Sequence, residues 1–343
     1  MRRRQEDRAP SNPISLAAPG MEGDNDQASS LPSRIARYSA AKERALAMVG
    51  YLETLDVNDE NVRRALAGLQ NCGNYLHFRH YFTVGDVRLH AARFCKQHLI
   101  CPLCAIRRGS KALQSYLTRF YIIKVQRPEL SPYLITFTVK NGHDLEERFR
   151  HLSQSFKRLK DRRRNFLTGS RGAPWTEFAK LEAGVGSYET TEKGNGWHPH
   201  IHLIGLAATA PCQRALRAEW EAITGDSFMV DVRPFRAGQD PAEGFMEVMK
   251  YAVKHGDLTL EKNWQAAQFF KGRRLLFSFG LFRGVTIPES LLDEPLEDLP
   301  YFDLFYRYCV GQGYALTPDV PDAVLREAQY PLAQLLQCGG SVM

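Results

Sequence analysis

The sequence has no run of 18 or more apolar residues, so no segment reads as a membrane-spanning helix. Its first 20 residues carry arginines but no apolar stretch adequate for a secretory signal. It also lacks an evenly paired set of cysteines: there are 7, an odd number and clustered, which fits a reducing cytosol and metal binding better than a disulfide framework. These absences set the expectation of a cytoplasmic protein with no membrane partner. What is present is ordinary for a soluble globular chain, with 44% apolar and 24% charged residues. A length of 343 residues allows two domains and a sizeable core. The net charge of +7 points to a polyanionic partner.

Composition divides the chain. Residues 1–32 are rich in Pro, Ser, Asp, Asn and Gly and read as a disordered tail. Residues 33–120 read as a helical and Cys-rich region, with one helix from Ile35, an interruption at Asp56–Glu60 that caps a second, and a third opening near Arg107. From Tyr133 the pattern is strand, helix (144–164), two strands (185–206), helix (212–223), strand (228–233) and helix (241–254). That β-α-β-β-α-β order predicts an α+β, ferredoxin-like antiparallel sheet with helices on one face, within a domain of 121–285. Residues 286–343 read as a loosely defined helical tail.

Cys72, Cys95, Cys101 and Cys104 are spaced C-x22-C-x5-C-x2-C, and His98 lies among them. Four cysteines, or three with a histidine, hold structural zinc in a tetrahedral site. The alternative for Cys101-Pro-Leu-Cys104 is a redox pair, but no thioredoxin-like strand-to-helix context surrounds it. Cys212, Cys309 and Cys338 are isolated and read as packing thiols.

The most informative stretch is Gly196 to Leu206, GWHPHIHLIGL. His198, His200 and His202 alternate, so in a strand they share one face. Imidazole suits first-row divalent metals. Asn195-Gly196 is a two-residue hairpin signal. With that pair at the centre, Thr191 faces His200 and Glu189 faces His202, which places a carboxylate beside two imidazoles. Such a set leaves positions open on a divalent ion. His198 is the substitute ligand if the register differs.

Two helices remain. Residues 144–164 bury Leu145, Phe149, Leu152, Phe156 and Leu159, while Arg158, Arg162, Arg163 and Arg164 form either a solvated face or a track for a phosphate backbone. On the helix at 241–254, Phe245, Val248, Met249 and Ala252 form the core stripe. Tyr251 sits at its edge between Glu247 at i−4 and Lys254 at i+3.

In this order, the Glu-bearing strand, HPHIH and EVMKYAVK resemble the replication initiators of rolling-circle plasmids, in the HUH endonuclease superfamily. Leu134 to Asn141 is similar to that family's first motif, and the segment from Phe94 to Cys104 to its cysteine region. The resemblance covers about Cys72 to Lys254. His98 stands where the family has arginine. The resemblance implies that His200 and His202, with Glu189 as third ligand, bind Mg2+ or Mn2+. It implies that Tyr251 attacks a phosphodiester of single-stranded origin DNA, leaving a 5′-phosphotyrosyl link and a 3′-OH primer, and that Glu247 directs a terminating hydrolysis. Lys254 could favour the phenolate. Plasmid origin DNA, double- and single-stranded, and a host helicase are the implied partners. The other classes are a non-catalytic zinc-bearing DNA-binding regulator, a small-substrate metallohydrolase, and a relaxase or transposase of the same chemistry.

Overall fold

The computed structural model describes residues 30–170, 172–192, 194–236, 238–249 and 258–317. In chain order these form α1 (Leu31–Leu52), α2 (Glu60–Asn71), β1 (Tyr75–Tyr81), β2 (Asp86–Ala92), α3 (Pro102–Gln126), β3 (Ser131–Thr138) and α4 (Leu145–Leu167). Then follow β4 (Ala183–Glu192), β5 (Trp197–Ala207), α5 (Gln213–Thr224), β6 (Val230–Pro234), α6 (Pro241–Met249), α7 (Leu260–Phe270), β7 (Leu276–Gly280), β8 (Phe302–Cys309) and β9 (Gly313–Leu316). The class is mixed α+β, with two antiparallel sheets in the orders β2-β1-β8-β9 and β6-β3-β5-β4-β7.

The first sheet is backed by α1 and α2. Asp59 caps α2, its Oδ1 accepting from the Asn61 amide at 2.7 Å. Leu76 and Phe78 of β1 pack with Tyr38, Ala45 and Met48 of α1 in one core. The helical tail expected over 286–343 is corrected within the described residues. Phe302–Cys309 and Gly313–Leu316 are strands, and β8 pairs along β1 from Tyr75↔Arg307 to His80↔Phe302. Alternating aromatics favour an extended chain once a partner edge is available. That edge lies more than 200 residues upstream, so nothing local announces it.

The second sheet carries the β-α-β-β-α-β order. Asp144 caps α4 through the Glu146 and Glu147 amides, and both carboxylates sit in the first turn where the helix dipole favours them. Phe149, Leu152, Phe156 and Leu159 of α4 pack with Ile201 and Leu203. Burial of each large apolar side chain contributes about 1.5–3 kcal/mol. The expectation of helices on one face only is corrected. The opposite face, through Ile204 and Leu206, is covered by α3 and α6 in a separate core. Helix α3 joins the two halves, since Leu103 and Cys104 belong to the first core while Ala112 to Ile123 lie under the second sheet.

Candidate functional site

The hairpin of β4 and β5 builds the first part of the site, with a register two residues from the expected one. Glu189 pairs with His200, Ser187 with His202 and Thr191 with His198, and the ladder ends at Glu192↔Trp197. A two-residue primed turn requires positive φ at Asn195. The positive φ values fall instead on Gly194 (85°) and Gly196 (92°), and the strands part over a four-residue connection, 193–196. Gly196 is needed there, because a Cβ would stand 2.6 Å from the Gly142 carbonyl oxygen. A slip of two residues, unlike a slip of one, leaves every side chain on its face. Glu189 therefore still meets the imidazoles.

The geometry fits a divalent ion. Glu189 Oε2 lies 3.5 Å from His200 Nε2 and 3.8 Å from His202 Nε2, and the three ligand atoms lie within 4.8 Å of one another. Both rings are held from behind. His200 Nδ1 faces the His198 carbonyl at 3.2 Å, which can only accept, so Nδ1 is the donor in that contact and Nε2 is turned toward the carboxylate. His202 Nδ1 is 3.0 Å from Thr136 Oγ1, which fixes that ring too. Ser187 Oγ donates to Glu189 Oε1 at 3.4 Å. Glu189 is 1% exposed and His200 7% exposed, so a cation bound here would be screened little by solvent. His198 stands outside this group, its Nδ1 bonded to Asn141 Oδ1.

The four cysteines form a second, unlike group. Sγ–Sγ separations are 3.5 Å for Cys72–Cys104 and Cys72–Cys101, and 3.6 Å for Cys95–Cys104. Zinc bound tetrahedrally at about 2.3 Å from each sulfur needs roughly 3.8 Å between sulfurs, so the donor set fits. Hydrogen bonds from the other three thiols hold the Cys72 thiol well below its usual pKa. His98 is not in the cluster; its Nδ1 lies 3.4 Å from the Lys96 carbonyl. Burial, and then Arg108, lower the pKa of His98. Gly73, next to the first ligand, has φ +63°, and a Cβ there would lie 2.3 Å from Leu103.

The remaining expected site residues are distributed as follows. Tyr251 and Lys254 lie outside the described residues. Glu247 is half-buried on α6, between Phe245 and Val248, which are buried as the stripe requires. Tyr188 is the other tyrosine near the histidines, and it faces the opposite side of the sheet. There it packs against Phe149 and Phe277, and burial raises its phenol pKa. It is thereby removed as a nucleophile. The α4 arginines also lie on that far side. Arg163 is structural, donating to the Leu181 carbonyl at 3.0 and 2.7 Å and covering the Phe279 ring. Arg162 and Arg164 are exposed, Arg164 beside Asp161; Arg158 is exposed and reaches the Ile223 carbonyl.

Sequence reading missed two buried groups. The Lys42 ammonium, fully buried, donates to the Cys72 carbonyl and Asn74 Oδ1, each at 2.8 Å. Burial lowers its pKa and the neighbouring cysteines oppose that. A cation here offsets the negative charge of a four-thiolate site. The second group is Asp293, between Arg34 (3.1 Å) and Arg107 (2.5 Å), with the Leu89 amide at 2.7 Å. Neither has a local signal, because a lone Lys in an Ala-rich helix reads as a solvated face.

Comparison with known proteins adds an independent result. Residues 86–210 match a family model described as replication protein. The chain is similar to a "Protein rep" of Lactiplantibacillus plantarum, 27% identical over 300 residues, covering 77% of this chain and 85% of the relative. One from Bacillus amyloliquefaciens is 26% identical, covering 64% and 70%. One from Staphylococcus aureus is 25% identical, covering 57% and 84%. No solved structure matches.

Proposed function

We propose that the chain is a plasmid replication initiator of the Rep family, to whose model and members it is similar, and that it starts rolling-circle replication by nicking one strand of its origin with Tyr251. The observation that carries this reading is the convergence of Glu189, His200 and His202 on one point of the β4–β5 hairpin. The sheet order β6-β3-β5-β4, with α4 and α5 packed on one face, supports the ferredoxin-like HUH arrangement. Helix α6 packs against the other face, the one that bears the histidines, and the sequence continues from Met249 to Tyr251.

In this reading the three ligands hold Mg2+ or Mn2+, which when bound polarises the scissile phosphate and offsets its developing charge. The Tyr251 oxygen attacks phosphorus, and the bond from phosphorus to the 3′-oxygen breaks. The phenol gives up its proton, the 3′-oxygen takes one, and a 5′-phosphotyrosyl link and a 3′-OH remain. An unperturbed phenol has a pKa near 10, so a nearby Lys254 ammonium favours the phenolate. Glu247, four residues before Tyr251, serves at the end of a round by orienting and deprotonating a water that cuts the displaced strand.

The four cysteines take Zn2+ as a structural ion. The proposed divisions are a tail to residue 32, a zinc-bearing region over 33–120 and a nicking domain over 121–285. Arg158, Arg162 and Arg164 lie on the far side of the sheet from the nick, where they would meet duplex backbone. A host helicase is the proposed partner for unwinding.

The test is incubation with supercoiled plasmid carrying the cognate origin, with Mn2+ and with EDTA, followed by a denaturing gel. Nicked circles that need the origin and disappear in EDTA are expected. Intact supercoils under all conditions would exclude the reading.

A further inference from the structure

Helix α3 grows directly out of the cysteine cluster. Cys101 is its N-cap and Cys104 lies in its first turn, with the Ala105 amide bonded to the Cys101 carbonyl at 3.0 Å. Both cysteines are fully buried in the first core. One turn further on, Arg107 fixes the rotation of the helix. It is fully buried and donates to the Leu291 carbonyl at 2.7 Å and to Asp293 at 2.5 Å. The next residues meet α6. Gly109 is the single glycine of α3, and a Cβ there would stand 3.1 Å from the Met249 carbonyl oxygen. An ordinary carbon–oxygen contact is about 3.3–3.6 Å. Beyond it, Ala112 and Tyr116 share a core with Phe245 and Met249, and the Phe120 and Phe245 rings lie 5.4 Å apart.

Glycine inside a helix is disfavoured by its conformational freedom, so Gly109 is explained by the close approach it allows and not by helix formation. It lies five residues after Cys104, about 7.5 Å along the axis. Met249 in turn lies two residues before Tyr251 in the sequence. A chain of packed contacts therefore runs from the sulfurs, along one helix, to the end of α6. The sulfurs are themselves anchored, since Lys42 holds the Cys72 carbonyl at 2.8 Å. We propose that Gly109 is a positioning residue. It seats the end of α6 against a helix whose start the cysteine cluster holds, and so sets the path of the chain toward Tyr251. The consequence for strand cleavage rests on the nicking reading; the seating itself does not. Attack geometry is sensitive to such seating, because a misplacement of about 1 Å costs roughly 100-fold in rate. Alanine at 109 demands a shift of a few tenths of an ångström, and valine demands more.

The test uses full-length, zinc-loaded Gly109→Ala and Gly109→Val. Gly50→Ala is the control, since Gly50 is a glycine of α1 with no atom within 4 Å of an added Cβ. Two quantities are read: hydrogen exchange of the peptide 245–249 by mass spectrometry, and the single-turnover rate of adduct formation with a single-stranded origin oligonucleotide and Mn2+. Gly109→Ala should raise exchange in that peptide, leave β3 and β5 unchanged, and slow adduct formation roughly tenfold. Gly109→Val should slow it roughly 100-fold. Oligonucleotide affinity, Mn2+ affinity and zinc content should keep their wild-type values, so the loss falls on rate and not on binding. Gly50→Ala should match wild type in both readouts. Cys95→Ser, which removes the partly exposed sulfur of the cluster, should loosen the same peptide ahead of β3 and β5. If that variant does not fold, the two Gly109 variants decide. Wild-type exchange at 245–249, or a wild-type rate, in Gly109→Val would overturn the proposal. So would exchange raised equally across both sheets in Gly109→Ala, or a folded Cys95→Ser with wild-type exchange at 245–249. If the wild type forms no adduct while Gly109→Val loosens only the end of α6, the nicking reading falls and the seating stands.

Discussion

Replacing Asp293 with Asn tests how the segment returning to the first sheet is held against α1, β2 and the start of α3. The Asp293 carboxylate is 1% exposed and accepts from Arg34 Nη2, Arg107 Nη2 and the Leu89 amide. Arg107 also donates to the Leu291 carbonyl at 2.7 Å and the Tyr38 hydroxyl at 3.1 Å, so both guanidinium groups are fixed in place. Asn keeps the shape and removes the charge, leaving two buried cations without their anion. Breaking a buried pair in this way costs about 3–5 kcal/mol. The two arginines more than offset the cost of burial and hold the folded-state pKa of Asp293 well below the carboxylate range. The folded pKa is depressed, so the contribution is fully present above the unfolded value near 4 and is lost as pH falls through the folded value. Urea unfolding followed by tryptophan fluorescence should show the full gap between wild type and Asp293→Asn at pH 7. The gap should shrink by about 1.4 kcal/mol per pH unit once pH drops below about 4. A gap under about 1 kcal/mol, or one that does not change with pH, would refute the reasoning.

Three further outcomes follow from the same geometry. Purified protein kept reduced should retain zinc through EDTA dialysis, and Cys72→Ser should lose it, as measured by metal analysis; zinc-free wild type would contradict the four-sulfur site. Thr136→Val removes the partner of His202 Nδ1 and should weaken Mn2+ binding roughly 10–100-fold by calorimetry while leaving zinc in place. Unchanged Mn2+ affinity would show that the ring is held by other means. Glu247→Ala should nick at near-normal rate but release over-length displaced strands; loss of the first nick on a single-stranded oligonucleotide would make Glu247 the base for the phenol instead.

What could be read from the sequence was local. The period-two histidines, the Cys95–Cys104 spacing and the cap within Asp56–Glu60 each depend on residues a few positions apart; Cys72, 22 residues before Cys95, was legible only as one more cysteine, and the fold brings it to the other three. The hairpin register was misread by two residues because Asn195-Gly196 carries a turn signal while the left-handed backbone falls on Gly194 and Gly196. Glu189 stayed beside the histidines only because the error was even. Non-local features left no trace. Strand β8 depends on an edge supplied by β1, and Asp293 reads as one acid in an acidic stretch until Arg34 and Arg107 close around it. The basic run on α4 was legible as charge, but its placement behind the sheet, with Arg163 spent on the Leu181 carbonyl, follows from which face of the sheet α4 covers.

The central claim is covalent strand cleavage by Tyr251 supported by a metal at Glu189, His200 and His202. The most direct measurement incubates full-length protein with a 5′-blocked, 3′-labelled single-stranded origin oligonucleotide and Mn2+, then resolves the mixture on a denaturing protein gel. The account predicts a labelled protein–DNA adduct that is absent with EDTA, absent in Tyr251→Phe and lost in the His200→Ala, His202→Ala double variant. An adduct of full strength in Tyr251→Phe, or in EDTA, would contradict it.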